Sequence, residues 1–436
     1  MIKIFLETYG CSTNISDSEV MAGLLEQAGF MLVDRICDAD VIIINICSVK
    51  LKTQYKTLTR ARNLMVKYPH KKLIFAGCLS DNVCDDLMRL IKKNKSTASF
   101  VDTHNIGKIV EVTELLVGGK SVEIFGKKDN VKICLPKKRK NQVISIVPIS
   151  SGCVSSCSYC IVSRIKGGLF SYPVEDILRE IHQSIDSGCR EIWLTSQDTA
   201  AYGLDVQEKS ALPALLEKIS SLNGDFKVRV GMMNPNHVIT VLDELISAFK
   251  SDKVFKFLHL PVQSGNDTVL NNMDRKYSIK EFKNVVKTFR KTFPMITVAT
   301  DIICGFPGET EEQFDDTLKL TDQIKPDVCN ISRYGALKGT KAALMKQVPG
   351  IEIKERSKKM TVAFQKAALE TNKKWIGWKG KIIIDEKGKN SSSVGRNLAY
   401  KPVIIEGSHP LGKEIKVEIT DVTSFDLRAI VYEGSY

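Results

Sequence analysis

The sequence predicts an α/β protein with three folded parts: an N-terminal open α/β sheet domain over residues 1–126, a partial (β/α)6 barrel over 143–371, and a small β-barrel over 372–436. Strand and helix patterns alternate in the first part, and six strand–helix units follow in the second. Short strands separated by glycine-containing turns fill the third. A length of 436 residues suits about three domains.

The N-terminal part begins with an apolar run at residues 2–7 that predicts a strand. A capping-box pattern from Ser16 to Glu19 predicts the start of the first helix, and Gly29 is placed to end it. Further β-branched runs at 41–45 and 73–77 predict the next strands. Strands that alternate with helices predict an open α/β sheet.

Residues 127–142 are polar and basic and contain a proline, which predicts a linker. Its basic run, Lys137, Lys138, Arg139 and Lys140, is a candidate for contacts with RNA phosphates. The alternative is that these side chains are simply solvated.

The central part repeats a strand followed by a helix six times, which predicts an incomplete parallel barrel with its chemistry at the carboxyl ends of the strands. A complete eight-unit barrel needs more residues than this part contains. The predicted strands are 143–150, 191–195, 227–232, 255–260, 296–304 and 327–333, and the predicted helices are 174–187, 211–222, 237–250, 278–293, 311–324 and 352–372.

The C-terminal part has a different pattern, with four short alternating strands predicted at 381–385, 403–406, 414–422 and 426–432 and no helix between them. This is typical of a small β-barrel that binds RNA or oligonucleotides. The net charge of +13 also favours a polyanionic partner, although a basic, solvated surface would give the same charge.

No segment approaches the roughly 18 consecutive apolar residues of a membrane-spanning helix. Glu7 interrupts the first apolar run, which is unlike a signal peptide. We therefore expect a cytoplasmic protein with no membrane partner. In the cytosol its 12 cysteines stay reduced, so metal binding explains clustered cysteines better than disulfides do.

The densest cysteine cluster is Cys153, Cys157 and Cys160, directly after the first barrel strand. A polar, glycine-flanked loop with this spacing can direct three thiolates at one iron–sulfur cluster. A structural zinc site needs four ligands, and no fourth cysteine or histidine lies nearby in the sequence. Three ligands would leave one iron of a 4Fe–4S cluster open to substrate.

A second set, Cys11, Cys47 and Cys78, follows the three predicted strands of the N-terminal part. The carboxyl ends of parallel strands meet at one crevice, so these thiols are expected to converge on a second metal site. The alternative is three buried structural cysteines. The other six cysteines show no ligand spacing.

The spacing of the first cysteine set, with Tyr159 just before the third cysteine, resembles the radical S-adenosylmethionine (SAM) enzymes. Together with the second set, it makes the chain resemble the methylthiotransferase family over essentially its whole length. The segments 10–23 and 191–203 and the tripeptide Ser171-Tyr172-Pro173 are most similar to the archaeal and eukaryotic branch, the threonylcarbamoyladenosine tRNA methylthiotransferases.

This resemblance implies two 4Fe–4S clusters, an auxiliary one on the N-terminal cysteine set and a radical SAM one on the barrel set, and a C-terminal RNA-binding domain called TRAM. It implies SAM as cofactor, and tRNA, a one-electron donor and a sulfur source as partners. The implied reaction places a methylthio group on C2 of N6-threonylcarbamoyladenosine at tRNA position 37. That carbon has no leaving group and is not acidic, so a radical is needed.

Residues near the ends of the barrel strands are candidates for binding SAM. Asp198 suits its ammonium group, Gln263 its ribose hydroxyls, and Arg275 its carboxylate or a tRNA phosphate. Asp198 is equally suited to cap a helix, and Arg275 could be an ordinary surface arginine. Lys166, a candidate for RNA binding, stands where the family mostly has arginine. The full set of SAM candidates is Tyr159, Ser196, Gln197, Asp198, Gln263, Arg275, Asp301 and Arg333.

Three alternatives stay open from the sequence. The same chemistry could act on isopentenyladenosine in tRNA or on a ribosomal-protein aspartate. The chain could be a non-enzymatic RNA-binding protein with a structural metal. Sulfur insertion could also take place on a small molecule, in which case removal of residues from 373 onward should leave turnover intact.

Overall fold

The computed structural model describes residues 1–126 and 132–432, and its fold confirms the predicted three-part α/β architecture. Residues 127–131 of the predicted linker and residues 433–436 lie outside the described residues. Within the described ranges, no helix combines the length and the apolar character needed to cross a membrane.

The N-terminal domain is a six-stranded parallel sheet in the order β2-β1-β3-β4-β5-β6. Separate apolar clusters cover its two faces, which explains why its central strands are buried and β-branched. The elements are β1 Lys3–Thr8, α1 Ser12–Gln27, β2 Met31–Leu32, β3 Val41–Cys47, α2 Leu51–Lys67, β4 Lys72–Cys78, α3 Asp81–Asn94, β5 Ala98–Asp102, α4 Ile109–Val117 and β6 Glu123–Ile124.

Helix α1 begins at Ser12, so the predicted start at the Ser16–Glu19 capping box is wrong. Both of those side chains are buried inside the helix. The Ser16 hydroxyl donates to the Ile146 carbonyl of the central domain at 3.3 Å, and Glu19 accepts from the backbone N–H of Lys140 at 3.2 Å. The polar residues that resemble a helix cap therefore attach this helix to the central domain and to the linker.

The central domain is the predicted partial barrel. Six parallel strands, β7, β10, β11, β12, β13 and β14, form two three-stranded sheets joined by a bridge between Val228 and Val254. Its elements are β7 Ile144–Pro148, β8 Ser150–Ser151, α5 Val162–Lys166, β9 Phe170–Ser171, α6 Val174–Asp186, β10 Glu191–Thr195, α7 Leu212–Ser221, β11 Lys227–Val230, α8 Pro235–Ile239, α9 Leu242–Phe249, β12 Phe257–His259, α10 Asp267–Asn272, α11 Ile279–Thr292, β13 Thr297–Cys304, α12 Glu311–Ile324, β14 Val328–Arg333 and α13 Gly350–Lys373.

The C-terminal domain is a closed barrel of five strands in the order β15-β16-β17-β19-β18. The sequence pattern misses one of them, Ser392–Arg396, because a run of serines followed by glycine lacks the apolar alternation of a strand. The strands are β15 Lys379–Lys387, β16 Ser392–Arg396, β17 Pro402–Glu406, β18 Glu414–Val422 and β19 Leu427–Val431.

The C-terminal barrel is packed into the central domain. The Tyr400 ring lies 5.2 Å from Phe257 and 6.3 Å from Trp193, and the Arg229 guanidinium lies 5.2 Å above it. The buried Lys401 ammonium donates to Asp327 at 2.6 Å. Removing residues from 373 onward would therefore expose apolar surface of the central barrel, so an effect of this deletion could come from lost packing alone.

We expect Tyr400→Ala to destabilise the protein by about 3–5 kcal/mol, the usual cost of removing a buried aromatic ring. Denaturant unfolding followed by circular dichroism measures this change. The matched control is Tyr55→Ala, since Tyr55 is 62% exposed and its loss should change stability by less than about 0.5 kcal/mol. Equal stability of the two variants would contradict the packing role of Tyr400.

Candidate functional site

Three thiols of the N-terminal domain come together at the carboxyl edge of its sheet. Cys47 and Cys78 are the last residues of β3 and β4 and are direct partners in the strand register. Cys11 immediately precedes α1. The Asn14 Oδ1 atom accepts from the Cys11 thiol at 3.5 Å and from the Cys78 thiol at 3.8 Å, so a single amide oxygen lies between two of them.

Asn14 is held in place by a buried network that the sequence analysis missed. Its amide nitrogen donates to the Asn45 side chain at 3.2 Å and to the Ile46 carbonyl at 2.9 Å. Gly10 has a φ of +123°, and a Cβ at this position would lie 2.7 Å from the Cβ of Cys47. Only glycine permits this close approach, so residues 10–14 are shaped around the thiols.

The environment of one of these thiols, Cys78, favours a negative charge on its sulfur. A hydrogen bond shared with Cys47 lowers the pKa of Cys78 to about 6, with Lys166 and Lys132 also lowering it. The same hydrogen bond raises the pKa of Cys47. Thiolates are the form that binds iron, and nearby cations offset the charge that they bring.

Lys166 is at this site and not on an RNA-binding surface, which corrects the expectation from the sequence. It ends helix α5 of the central domain and is only 4% exposed. Burial lowers the pKa of Lys166. The charges of Asp17 and of the thiols of Cys78, Cys11 and Cys47 raise it by a larger amount, so the net pKa is raised and the ammonium stays charged. A buried ammonium beside thiols cannot reach a phosphate in solvent.

In the central domain, each of the three thiols of the first cysteine set is close to one N–H group. The Cys153 sulfur accepts from the backbone of Ser155, and the Cys160 sulfur accepts from that of Val162, both at 3.4 Å. The Cys157 sulfur accepts from the Arg275 guanidinium at 3.4 Å. Hydrogen bonds to the sulfurs are one of the means by which proteins tune iron–sulfur clusters, so this loop fits such a group.

Within the described residues, no three histidine, cysteine or acidic side chains are arranged to hold a single metal ion. In a 4Fe–4S cluster each thiolate binds a different iron, so the ligands need not meet at one point.

The Arg275 guanidinium contacts the cysteine loop, and its contact with the SAM carboxylate or a tRNA phosphate stays a prediction. It is 8% exposed, and its other donors reach the Tyr277 hydroxyl at 3.2 Å and the Pro261 carbonyl at 3.3 Å. Beside it, the Ser156 hydroxyl donates to Asp274 at 2.6 Å. The segment after α10 thus clamps the loop that carries the barrel thiols.

We expect Arg275→Met to lower the rate of reductive SAM cleavage by about 10–100-fold, the usual effect of removing a group that contacts a metal ligand. The measurement is 5′-deoxyadenosine formed per iron with dithionite as reductant. Arg275→Lys should be intermediate, because it keeps the charge and loses the fork of donors. The control is Lys280→Met on the exposed side of α11, and an equal loss in both variants would contradict the assignment.

The ends of β10 and β11 place two acceptors without partners near the cysteine loop. Among the described residues, the buried Gln197 Oε1 and Asn234 Oδ1 atoms have no hydrogen-bond donor. Asn234 is also linked to this loop, because its amide nitrogen donates to the Ser155 hydroxyl at 3.3 Å. These acceptors fit the ammonium group of SAM, and the sequence analysis included only Gln197.

Asp198 is engaged inside the protein, as its capping alternative predicts. Its carboxylate accepts from the backbone of Ala200 at 3.1 Å and of Asn234 at 2.9 Å, and it lies 2.7 Å from His237 Nδ1. Ser196 supports this turn by accepting from the Asp198 N–H at 3.0 Å.

The other candidates lie along the later strands. Tyr159 is packed edge-on against Phe306 with ring centroids 6.4 Å apart. Gln263 has a φ of +69°, an unusual conformation for a residue with a side chain. Burial raises the pKa of Asp301, but hydrogen bonds from His259 and Asn330 outweigh it and lower the net pKa. Arg333 is exposed and donates to the Ser357 hydroxyl at 2.8 Å.

Three family models match the chain: "Radical SAM superfamily" over residues 147–321, "Uncharacterized protein family UPF0004" over residues 3–99, and "TRAM domain" over residues 377–432. Together they span all three parts of the fold. The cysteine loop lies inside the first match, and the N-terminal thiols lie inside the second.

Curated relatives match over nearly the full length. The chain is 39% identical to a "Probable threonylcarbamoyladenosine tRNA methylthiotransferase" of Methanothermobacter thermautotrophicus, covering 98% of this chain and 99% of the relative. It is 36% identical to the "Threonylcarbamoyladenosine tRNA methylthiotransferase" of Homo sapiens, covering 96% of this chain and 72% of the relative. The chain belongs to the threonylcarbamoyladenosine tRNA methylthiotransferase family.

Solved structures agree on the fold of this methylthiotransferase. The radical SAM methyltransferase TsrM of Kitasatospora setae, solved with cobalamin and a 4Fe–4S cluster, matches with a TM-score of 0.56 at 11% identity, covering 79% of this chain and 74% of that chain. The cobalamin-dependent SAM radical enzyme OxsB matches with a TM-score of 0.52 over 84% and 56%. Membership of the radical SAM superfamily implies a 4Fe–4S cluster and SAM as cofactors.

In this methylthiotransferase the basic run of the linker contacts protein. Lys137 is buried against Glu180, which leaves it no access to RNA. Lys138 pairs with Glu26 at 2.7 Å, and Arg139 donates to the Ser187 hydroxyl. The Lys140 side chain is not committed in this way, since only its backbone N–H bonds to Glu19. The run ties the N-terminal domain to the barrel, because its partners lie on α1 and α6.

Proposed function

We propose that this chain places a methylthio group on C2 of N6-threonylcarbamoyladenosine at position 37 of tRNA. Membership of the family whose curated relatives carry this activity in their names supports the substrate. The TRAM domain supports an RNA substrate. The archaeal and eukaryotic branch motifs disfavour isopentenyladenosine and protein aspartate as alternatives.

One observation carries this proposal: two sets of three thiols lie on neighbouring domains that are packed against each other. The Ser12 hydroxyl, next to Cys11, lies 2.7 Å from the Thr195 hydroxyl at the carboxyl end of a barrel strand. Lys166 follows the barrel cysteine loop along the chain and is buried among the thiols of the other domain. A sulfur held on one set is therefore close to a radical formed at the other.

When bound, two 4Fe–4S clusters and SAM would supply the radical that removes the C2 hydrogen and the methylated sulfur that replaces it. Cys153, Cys157 and Cys160 would hold the first cluster, and Cys11, Cys47 and Cys78 the second. Gln197 and Asn234 orient the SAM ammonium group with their free acceptors. One SAM molecule would give its methyl group to the sulfur and leave as S-adenosylhomocysteine, and a second would be cleaved to methionine and 5′-deoxyadenosine. A one-electron donor would supply the electron for that cleavage, the clusters would accept the electron released when the C2–sulfur bond forms, and a sulfur source would replace the transferred sulfur.

The test is nucleoside mass spectrometry. The chain is expressed in a host whose tRNA carries N6-threonylcarbamoyladenosine without its methylthio form, and the tRNA is then digested. We expect a new nucleoside heavier by one methylthio group in place of hydrogen.

Cells that express the Cys153→Ala variant at the same level are the control and should yield no new nucleoside. A methylthio gain on isopentenyladenosine would keep the chemistry and overturn the substrate. No gain in a chain that carries both clusters would overturn the proposed activity on tRNA.

A further inference from the structure

The acid-free stretch of the sequence with the largest positive charge lies beside the N-terminal thiols. Between Asp40 and Asp81 the sequence has six lysines, two arginines and no acidic residue, so this stretch contributes +8 to a net charge of +13. Most of these residues belong to helix α2, which starts four residues after Cys47.

Helix α2 buries one face and exposes the other. Thr57, Ala61, Leu64 and Met65 are buried against the sheet. The opposite side presents an exposed row at helical spacing, which we name the α2 face: Lys52, Tyr55, Lys56, Arg62 and Lys67.

The charge of the α2 face is not balanced within the described residues. Of the basic residues in this helix, only Arg60 has an ionic partner there, Glu7 at 2.8 Å. Lys52 and Lys56 are a like-charge pair four positions apart, an arrangement that destabilises a helix by a few tenths of a kcal/mol. A merely solvated helix gains nothing from this pattern, whereas a surface for a polyanion does.

The helix also leads directly from the site. Leu51, the first residue of α2, packs closely on Gly335, which lies just past the last barrel strand. A Cβ added to Gly335 would lie 2.9 Å from the Leu51 side chain. The neighbouring Lys50 lies close enough to Asp301 to lower the pKa of that carboxyl. From this contact the 17 residues of α2 extend for roughly 25 Å.

We infer that the α2 face is a docking surface for the phosphate backbone of the tRNA anticodon arm, with Tyr55 free to stack on an unpaired base. The inference rests on the proposed function, which makes tRNA the substrate. A helix of this length spans about seven base steps of a nucleic-acid strand at ~3.4 Å each. The surface begins at the rim where the target base must enter, so it aligns the arm with the site.

The test compares two triple charge reversals in the full-length protein loaded with its clusters. One is K52E/K56E/R62E on the α2 face. The matched control is K280E/K287E/K291E, which changes the net charge equally on the exposed side of α11. Fluorescence anisotropy measures binding of an anticodon stem–loop carrying N6-threonylcarbamoyladenosine at several salt concentrations.

We expect the α2 variant to bind about tenfold or more weakly at 0.1 M salt, with a log–log salt slope less steep by about 2–3, because three phosphate contacts are lost. The control should bind like the wild type. SAM cleavage without RNA should be unchanged in both variants. If the triple reversal does not fold, Tyr55→Ala alone should weaken binding by about fivefold or more.

Equal weakening in both triple variants would overturn the inference, since general charge would then explain binding. The inference would also be overturned if the α2 variant bound RNA normally but lost turnover with a protein reductant and kept it with dithionite. The α2 face would then be a surface for an acidic redox protein. RNA binding that depends on the α2 face without methylthiolation would support the inference and refute the proposed function. If the α2 variant bound RNA and methylthiolated it like the wild type, the inference would be refuted and the proposed function supported.

Discussion

Cys153→Ala should abolish reductive cleavage of SAM and lower the iron content from about eight to about four per chain. The Cys153 sulfur is half-buried, accepts a backbone N–H, and lies in the loop clamped by Arg275. Burial raises the pKa of its thiol, so binding of iron there must displace a proton. Iron assay and 5′-deoxyadenosine formation measure the two effects.

The matched control is Cys189→Ala in the same domain. Cys189 is 1% exposed and its thiol donates to the Gln142 carbonyl at 3.4 Å, at the amino ends of β7 and β10 and not at their carboxyl ends. This variant should keep both clusters and full SAM cleavage, at a modest cost in stability. If Cys153→Ala retained about eight irons and cleaved SAM at the control's rate, this cysteine would not be a ligand.

The sequence predicts the fold well because the governing patterns are local. Six strand–helix units are visible as alternating apolar runs, and the carboxyl ends of parallel strands are known to converge. This rule alone places Cys47 and Cys78 together, and the structure makes them register partners. The candidate metal ligands can be predicted in the same way, because they lie at the carboxyl ends of strands.

Contacts between residues that are far apart in the chain could not be predicted in this way. Asn14, Lys166 and Arg275 derive their positions from residues more than thirty positions away in the chain. A lysine near a glycine suggests a surface charge, and only packing reveals that Lys166 is buried beside the thiols of another domain. The same reason explains Ser16 and Glu19, whose spacing imitates a helix cap. The Ser16 side chain contacts a barrel strand, and the Glu19 side chain contacts the linker.

The distribution of charge along the sequence is more informative than the net charge alone. The absence of acidic residues between Asp40 and Asp81 is visible without a structure. The structure adds which of these basic side chains face solvent. Arg60 is paired with Glu7, whereas Lys52 and Arg62 are exposed. The net charge favours a polyanionic partner, and the exposed face of α2 indicates where on the protein that partner would bind.

Cys47→Ala should separate the two halves of the reaction. We expect SAM cleavage to 5′-deoxyadenosine to continue, the iron content to fall to about four, and methylthio transfer to tRNA to disappear. The reason is spatial, since Cys47 ends β3 of the N-terminal domain and makes its shared hydrogen bond with Cys78. Iron assay, SAM cleavage and nucleoside mass spectrometry on one preparation measure all three effects.

The control for this separation is Cys84→Ala, in α3 of the same domain. Cys84 is also buried, and burial raises the pKa of its thiol to about 12, so it remains a neutral thiol packed among apolar side chains. It should retain both clusters and transfer activity. Methylthiolation by Cys47→Ala at the control's level would place the transferred sulfur elsewhere. Loss of SAM cleavage together with transfer would mean that the two cysteine sets form one cooperative unit, because Lys166 joins them across the domain interface.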